Sequence, residues 1–127
     1  MPHSKPASKY DAIICDIDGC LSPEHPAPTD LGAIARIGAW NRRARETGDV
    51  PPLTLCTGRP QPFAEAVARM VGAFKLPIVC EGGVWLLEMD PYRWSMDPRI
   101  DDGHREIIRE VQRWSLAQFE GAFLETG

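Results

Sequence analysis

The feature that most constrains this chain is a short apolar run that leads directly into two aspartates, Ala12-Ile13-Ile14-Cys15-Asp16-Ile17-Asp18-Gly19. The apolar part is typical of a buried β-strand. Asp16 and Asp18 follow one residue apart, so the strand brings two carboxylates to one end of a sheet. Carboxylates are rarely buried unless they are paired or bind a metal, and the run therefore indicates an active site. The alternative is a plain strand end followed by an Asp-Gly turn.

Two further apolar runs also end in polar or glycine-rich residues, and helical patterns separate the three runs. Residues 53–56 lead into Thr57-Gly58-Arg59, and residues 78–80 lead into Glu81-Gly82-Gly83. The order strand, helix, strand, helix, strand predicts an α/β fold with right-handed crossovers and a parallel sheet. Because functional loops of such sheets follow the carboxyl ends of the strands, we expect the three loops to meet at one edge.

Capping residues and apolar spacing predict the remaining elements. A first helix begins after Thr29 or Asp30 and ends before Gly48, and a third begins at Asp101 or Asp102. A β-hairpin is predicted for residues 84–89 and 92–96, and a strand for residues 122–127. The predicted core stripes are Leu31, Ile34, Ala35 and Gly38, widened by Ile37, Trp40 and Ala44, in the first helix, Phe63, Val67, Met70, Val71 and Phe74 in the second, and Ile107, Ile108, Val111, Trp114 and Gln118 in the third.

The composition is that of a single soluble domain. The chain has 127 residues, of which 43% are hydrophobic, and a net charge of −4. This acidic balance argues against a nucleic-acid partner, which would call for a basic patch. No apolar run approaches the ~20 residues that a membrane helix needs. Residues 1–10 are polar and are expected to form a flexible tail rather than a secretory signal, which favours a cytoplasmic location.

The four cysteines are expected to be free, buried thiols in a reducing cytoplasm, because no pair has Cys-x-x-Cys spacing. The alternative is a zinc site at the strand ends. The tryptophans of the hairpin and the third helix, Trp85, Trp94 and Trp114, are expected to pack in the core, with pocket lining as the alternative.

The converging loops carry groups suited to phosphate chemistry. Asp16, held at the end of its strand, is suited to attack phosphorus as a carboxylate nucleophile. Asp18 is suited to donate a proton to the leaving group and later to accept one from water. Gly19 lets the backbone turn tightly and present N–H groups to an anion. The first loop therefore predicts a phosphoryl-transfer site.

The second loop supplies candidate phosphate-binding groups. These are the Thr57 hydroxyl, the backbone N–H groups near Gly58 and the Arg59 side chain, for which simple solvent exposure is the alternative. Two carboxylates would repel a phosphate dianion, so a divalent cation is expected beside Asp16 and Asp18. Mg²⁺ is the expected ion because it takes oxygen ligands and keeps several waters.

These motifs resemble those of one superfamily. Asp16-Ile17-Asp18-Gly19 resembles motif I of the haloacid dehalogenase (HAD) superfamily, and Leu55-Cys56-Thr57-Gly58-Arg59 resembles its motif II. Glu81-Gly82-Gly83 is similar to the Glu-Asn-Gly loop of the Cof-type, C2-capped branch, with glycine where asparagine is usual. The hairpin also fits this branch, which includes sugar-phosphate phosphatases.

The resemblance implies a Rossmann-like core and Mg²⁺-dependent phosphomonoester hydrolysis through an aspartyl-phosphate. In that scheme Asp16 is the nucleophile and a metal ligand. Asp18 is the acid/base and binds the metal through its backbone carbonyl, while Thr57 holds the phosphate. The substrate would be a small phosphorylated metabolite such as a sugar phosphate.

Two further motifs of the family have no counterpart here, a motif III lysine or arginine and a motif IV acidic pair. No lysine follows Lys75, which falls between the second helix and the third strand, and Asp101-Asp102 is predicted to be a helix cap. We therefore expect the first half of such an enzyme, with little turnover and weak Mg²⁺ affinity on its own. Its expected parts are the tail (1–10), the N-terminal half of the core (11–97) and the beginning of a C2-type cap (98–127).

Other functions of the same fold stay open. One is a non-catalytic binding or assembly module in which the aspartates are remnants, and another is a phosphosugar mutase or phosphotransferase. Whichever applies, Ile13 and Ile14 are predicted to lie on an exposed apolar sheet edge, so self-association is expected.

Overall fold

The computed structural model describes residues 9–121, and its elements follow the predicted order. The helices are α1 (Leu31–Glu46), α2 (Gln61–Val71) and α3 (Asp102–Gln118). The strands are β1 (Ile13–Cys15), β2 (Leu53–Leu55), β3 (Ile78–Cys80), β4 (Trp85–Met89) and β5 (Tyr92–Met96), with a 3₁₀ turn at Glu81–Gly83. Within the described part of the chain, no helix has the length and apolarity needed to span a membrane. The predicted strand at 122–127 lies outside the described residues.

The strands form a small mixed arrangement in which the first three are parallel. β1 pairs with β2 so that Ile13 lies opposite Leu53. A single parallel bridge, between Cys56 and Val79, joins the end of β2 to β3. From β3 the chain continues through two antiparallel pairings, β3 with β4 and β4 with β5, which confirms the predicted hairpin. The spatial order is therefore β1-β2-β3-β4-β5.

The core lies between α2 and the sheet, and it differs from the predicted stripe. Helix α2 buries Val67 and Val71 as predicted, but Phe63 and Met70 are 43% and 55% exposed. The remaining buried positions are alanines, Ala64 and Ala68. Small side chains let a helix approach its neighbours closely, so the helix turns this face, rather than its bulkier one, towards Leu55, Ile78 and Leu87.

Helix α1 begins as predicted at Asp30, whose carboxylate accepts a hydrogen bond of 2.9 Å from the Ala33 N–H. The predicted stripe is wrong at its start, because Leu31 and Ala35 are exposed. The helix packs chiefly on α2 rather than on the sheet. This contact buries Ile34 and Ala44, as predicted, together with the polar Asn41. The partner helix therefore decides which face of α1 is covered.

Helix α3 is capped as predicted, but its apolar stripe is not buried. Asp101 accepts a hydrogen bond of 3.0 Å from the His104 N–H, and the His104 ring faces the Asp101 N–H in return. Asp101 is thus a helix cap. The expected core residues of this helix are each more than half exposed among the residues described: Ile107, Ile108, Val111 and Trp114.

The four cysteines are free thiols, as predicted, but only Cys80 is fully buried. Burial raises the pKa of the Cys80 thiol to about 11. Cys20 and Cys56 are exposed, so the expectation of four buried thiols is wrong for these two positions. Residues 9–121 contain no group of three or more histidine, cysteine or acidic side chains arranged to hold a metal, so the zinc alternative gains no support.

One buried polar side chain connects three elements. Asn41, on α1, is only 2% exposed. Its amide nitrogen donates to the Val71 carbonyl at the end of α2 (2.8 Å), and its oxygen accepts from the Leu53 N–H at the start of β2 (2.7 Å). Both backbone groups depend on this side chain, because a buried polar group without a partner is destabilising.

We expect Asn41→Leu to lower the free energy of unfolding by about 2–4 kcal/mol, because two backbone groups lose their partner. Urea denaturation followed by circular dichroism measures this change. Trp40→Phe is the matched control, since it removes one exposed hydrogen bond, from the indole N–H to the Pro51 carbonyl, and should cost less than about 1 kcal/mol. Equal stability of the two variants would contradict the bridging role of Asn41.

The outer edge of β1 is apolar. Within residues 9–121, β1 pairs with β2 and with no other strand, and Ile14 is 71% exposed. An exposed apolar strand edge pairs readily with another chain.

The 127-residue chain is therefore expected to self-associate, and Ile14→Lys should shift it towards the monomer because a charge on an edge strand opposes pairing. Sedimentation velocity over a concentration series gives the distribution. Leu31→Lys is the control, because Leu31 is equally exposed, at 73%, but lies on a helix. A wild-type chain that stays monomeric at high concentration would refute the expectation.

Candidate active site

Two hydrogen bonds at the end of β2 bring the three predicted loops to one edge. The Cys56 N–H donates to the Cys15 carbonyl of β1, and the Thr57 N–H donates to the Val79 carbonyl of β3, both at 2.9 Å. The strands therefore finish side by side. The second and third loops also touch directly, because the Glu81 N–H donates to the Arg59 carbonyl at 3.2 Å. Asp16, Thr57 and Glu81 thus begin neighbouring loops at one edge.

Asp16 follows β1 immediately and is exposed at this edge. Its Oδ1 accepts a hydrogen bond of 2.7 Å from the Ile17 N–H, which fixes the orientation of the carboxylate. Within the described residues Oδ2 has no hydrogen-bond partner. An oriented carboxylate with one accessible oxygen is suited to nucleophilic attack.

Asp18 is held by an arginine. Arg59 donates from Nε to Oδ2 and from Nη2 to Oδ1 of Asp18, each at 2.8 Å, which makes a bidentate ion pair. These hydrogen bonds, with the positive charge of the guanidinium, lower the pKa of Asp18 below its usual value. The guanidinium also lies 4.8 Å from the centre of the Phe63 ring. Arg59, predicted to contact an anionic substrate, here binds a carboxylate of the protein.

The turn after Asp18 uses its own backbone donors. Gly19 has a φ of +74°, the left-handed conformation that glycine adopts readily. Its N–H donates to the Ser22 carbonyl at 2.7 Å. The tight turn expected at Gly19 is confirmed. Its N–H, however, is already bonded within the turn and is not available to an anion.

The second loop presents donors to the same edge. Thr57 is 4% exposed, and its Oγ1 accepts a hydrogen bond of 3.1 Å from the Arg59 N–H, which leaves the hydroxyl proton to donate. Gly58 is exposed, with open space where a side chain would project. Its N–H has no hydrogen-bond partner in the part of the chain that the structure describes. Thr57 and Gly58 can therefore offer adjacent donors to a phosphate oxygen.

The carboxylate oxygens at this edge are the type of ligand that Mg²⁺ prefers, but few of them are available. The accessible oxygen of Asp16 is a hard ligand, whereas both carboxylate oxygens of Asp18 are bound to Arg59. No cluster of three potential ligands exists within residues 9–121. Mg²⁺ often needs only one or two carboxylates, with water and substrate phosphate completing its shell. The donor set therefore fits a weakly held ion.

Sequence reasoning gave no role to the side chain of Glu81. This residue has a φ of +52°, unusual for a side chain other than glycine. Its Oε1 accepts a hydrogen bond of 3.3 Å from the Gln61 N–H and so caps α2, which Pro60 cannot do. Pro60 has no side chain that could cap α2, and this is the signal in the sequence that leaves room for a cap from a distant residue. Glu81 thus joins the third loop to the start of α2.

The fold of this chain is similar to that of a solved structure. A haloacid dehalogenase-like hydrolase from Bacteroides thetaiotaomicron is 16% identical and superposes with a TM-score of 0.64, covering 84% of this chain. The chain spans 38% of the length of that protein. No protein-family model and no curated protein matches the chain. The structural likeness shows a HAD-like α/β fold.

We expect Arg59→Gln to raise the pKa of Asp18 towards its usual value, because the bidentate hydrogen bonds and the nearby charge are lost. When the pKa of a carboxyl group is lower in the folded than in the unfolded chain, its ionised form stabilises the fold at pH values above the unfolded pKa. This stabilisation is lost as the pH falls through the folded-state pKa. The variant should therefore lose less stability on acidification. Carboxyl-carbon NMR titration measures the pKa directly.

Arg99→Gln is the matched control, because Arg99 forms the same kind of pair with Asp97 and lowers the pKa of Asp97 to about 2. It should raise the pKa of Asp97 and leave that of Asp18 unchanged. An Asp18 pKa that is the same in wild type and Arg59→Gln would show that the pair does not form in solution.

Proposed function

We propose that this chain supplies the nucleophile and the phosphate-binding loop of a Mg²⁺-dependent phosphomonoester hydrolase of the HAD type. Its substrate is a small phosphorylated metabolite such as a sugar phosphate. The observation that carries the proposal is the placement of the accessible Asp16 carboxylate at the same sheet edge as the Thr57 and Gly58 donors. The HAD-like fold supports it.

In the proposed reaction, Oδ2 of Asp16 attacks phosphorus while the bond from phosphorus to the leaving oxygen breaks. The product is an aspartyl-phosphate and an alcohol, whose oxygen takes its proton from Asp18. A water molecule, deprotonated by Asp18, then attacks the aspartyl-phosphate and releases phosphate. When bound, Mg²⁺ would offset the repulsion between the carboxylates and the phosphate.

The Arg59–Asp18 pair has to open for this sequence. Asp18 bound to Arg59 is ionised and has no proton to give, since the pair lowers its pKa. A phosphate dianion would compete for the guanidinium, because arginine binds phosphate in the same bidentate manner as carboxylate. Transfer of Arg59 to the substrate would raise the pKa of Asp18 and let it take up a proton. Binding of the substrate would thus lead to protonation of Asp18, the form that can act as the acid.

The proposed reaction also calls for a cation at the phosphate besides Arg59, and Lys75 is not placed to supply it. Lys75 lies at the opposite end of the sheet, where its Nζ donates to the Ala44 carbonyl of α1 at 3.1 Å. We propose that the basic residue and further carboxylates are supplied by segments other than residues 9–121. The chain alone is then expected to turn over little substrate.

A second candidate is a non-catalytic binding module of the same fold. The observation that favours it is the closed Arg59–Asp18 pair, which leaves Asp18 without a free carboxylate oxygen. In such a module Asp16 would have no chemical role.

Asp16→Asn separates the two candidates. For an enzyme, we expect turnover of a phosphomonoester panel by the full-length protein to fall by at least about 10⁴-fold, because the nucleophilic carboxylate becomes a neutral amide. Phosphate release in the presence of Mg²⁺ is the measurement. Asp11→Asn is the control, because Asp11 is an exposed acid just before β1 and should leave turnover unchanged.

The 127-residue chain allows a simpler form of this comparison. Mg²⁺-dependent broadening of the phosphorus NMR signal of inorganic phosphate should be present in the wild type and in Asp11→Asn, and absent in Asp16→Asn. Full turnover by Asp16→Asn, or phosphate binding indifferent to Mg²⁺, would refute the enzymatic proposal.

A further inference from the structure

Two of the four cysteines stand on either side of the loop that follows β1. Cys15 is the last residue of β1 and Cys20 comes directly after Gly19, so the two thiols enclose both aspartates of the site. The side chain of Cys20 lies against the Cys15 thiol and interacts with it. Cys20 is exposed and Cys15 is partly exposed, so a small solute can reach the pair. The proposed reaction uses neither thiol.

The backbone of this loop holds the two thiols together. The Ile17 carbonyl accepts hydrogen bonds from the N–H groups of Cys20 and of the two residues after it, at 3.3, 2.9 and 2.9 Å. Gly19, with its φ of +74°, allows the chain to reverse here. Ile17 is only 1% exposed, so its side chain anchors the turn in the core. The turn therefore keeps Cys20 beside the end of β1.

The register of the strands keeps Cys56 apart from Cys15 and Cys80. Neighbouring residues of a strand point to opposite faces of a sheet. Cys15 lies opposite Leu55, so Cys56 points to the other face. Cys56 lies opposite Val79, so it also points away from Cys80. A disulfide bond needs side chains that are directed towards each other, and the register therefore opposes both of these bonds.

Oxidation of the pair would act directly on Asp16. The Cys15 S–H donates to the Asp16 carbonyl at 3.2 Å, and a disulfide has no S–H to donate. The new bond would also tie residue 20 to the end of β1 and close a ring around Asp16 and Asp18. Attack by a carboxylate depends on its alignment, and a displacement of about 1 Å can lower a rate about 100-fold. The redox state of the thiols can therefore control the nucleophile.

We propose that Cys15 and Cys20 form a reversible disulfide bond that switches the phosphate site off, with a peroxide as the oxidant. The Cys20 sulfur attacks one oxygen of hydrogen peroxide, and the O–O bond breaks to give a sulfenic acid and water. The Cys15 sulfur then attacks the Cys20 sulfur, and the S–O bond breaks with release of a second water. The two thiols lose two electrons and two protons in total, and the peroxide is reduced to two waters.

Formation of the bond depends only on the two thiols, whereas its effect on phosphate rests on the proposed function. A solvent-accessible disulfide is open to exchange with a small thiol, which restores both cysteines. The switch is therefore reversible, and its two parts can be measured separately.

Mass spectrometry of the 127-residue chain after treatment with hydrogen peroxide tests bond formation. Cleavage before aspartate separates the two cysteines, so the bond should join two peptides, and dithiothreitol should release them. Cys20→Ser should abolish this product. Cys56→Ser is the matched control, because Cys56 is also exposed, and it should keep the product. Absence of the bond between Cys15 and Cys20 in wild type, or a bond from Cys20 to Cys56 in its place, would overturn the proposal.

Carboxyl-carbon NMR without phosphate tests whether the bond reaches the site. Oxidation should shift the resonance of Asp16, because its carbonyl loses the S–H donor, and should leave that of Asp97, which follows β5, unchanged. Peroxide should not shift the Asp16 resonance in Cys20→Ser. An unchanged Asp16 resonance in wild type that carries the disulfide would overturn the switch.

Phosphate binding separates this inference from the proposed function. The Mg²⁺-dependent broadening of the phosphorus NMR signal of inorganic phosphate should be present in reduced wild type, lost after oxidation and restored by dithiothreitol. Absence of this broadening in the reduced protein, with the disulfide formed and the Asp16 resonance shifted on oxidation, would refute only the proposed function. Equal broadening in the reduced and the oxidised protein would refute only the switch.

Discussion

The arrangement of the site depends on the first two backbone amides after β2. One donates to β1 and the other to β3, so the segment Cys56–Thr57 holds both neighbouring strands in register at their carboxyl ends. Each strand has only three residues. β1 and β2 pair along their length, whereas β2 and β3 are joined through the bridge between Cys56 and Val79. The two hydrogen bonds extend this pairing to the point where the loops of Asp16 and Thr57 begin. The chemistry of the edge is therefore a consequence of backbone pairing.

The ion pair of Asp18 and Arg59 adds a second constraint at that edge. An arginine that binds a carboxylate in the resting protein can bind a phosphate in its place, because the two anions present similar pairs of oxygens. The pair keeps the loop after β1 attached to the loop after β2. It also keeps Asp18 ionised, so that Asp18 cannot act as an acid while the pair is closed. One contact thus links the stability of the site to its state of protonation.

The sequence predicted the features that depend on local patterns. The three parallel strands, the hairpin, and the helix starts at Asp30 and Asp101 all follow from short-range signals of apolar spacing and capping. The buried faces of the helices did not follow, because Ala64 and Ala68 face the sheet while Phe63 and Met70 remain outside. Which face of α2 is buried depends on how closely the helix approaches its neighbours. The periodicity of apolar residues carries no information on that distance.

The candidate site divides in the same way. The positions of Asp16 and Thr57 at one edge follow from strand order alone. The pairing of Arg59 with Asp18 spans 41 residues, and the capping of α2 by Glu81 spans 20. Both are long-range contacts between loops, and sequence spacing gives no measure of distance between loops. For this reason the sequence assigned Arg59 to the substrate and gave the Glu81 side chain no part.

Glu81 has an evolutionary consequence. Its N–H donates to the Arg59 carbonyl, its carboxylate caps a helix that follows Pro60, and its backbone adopts a conformation that few residues tolerate. A substitution there disturbs all three at once, so this position has little freedom to drift. Divergence among descendants of this protein would therefore accumulate around a fixed glutamate.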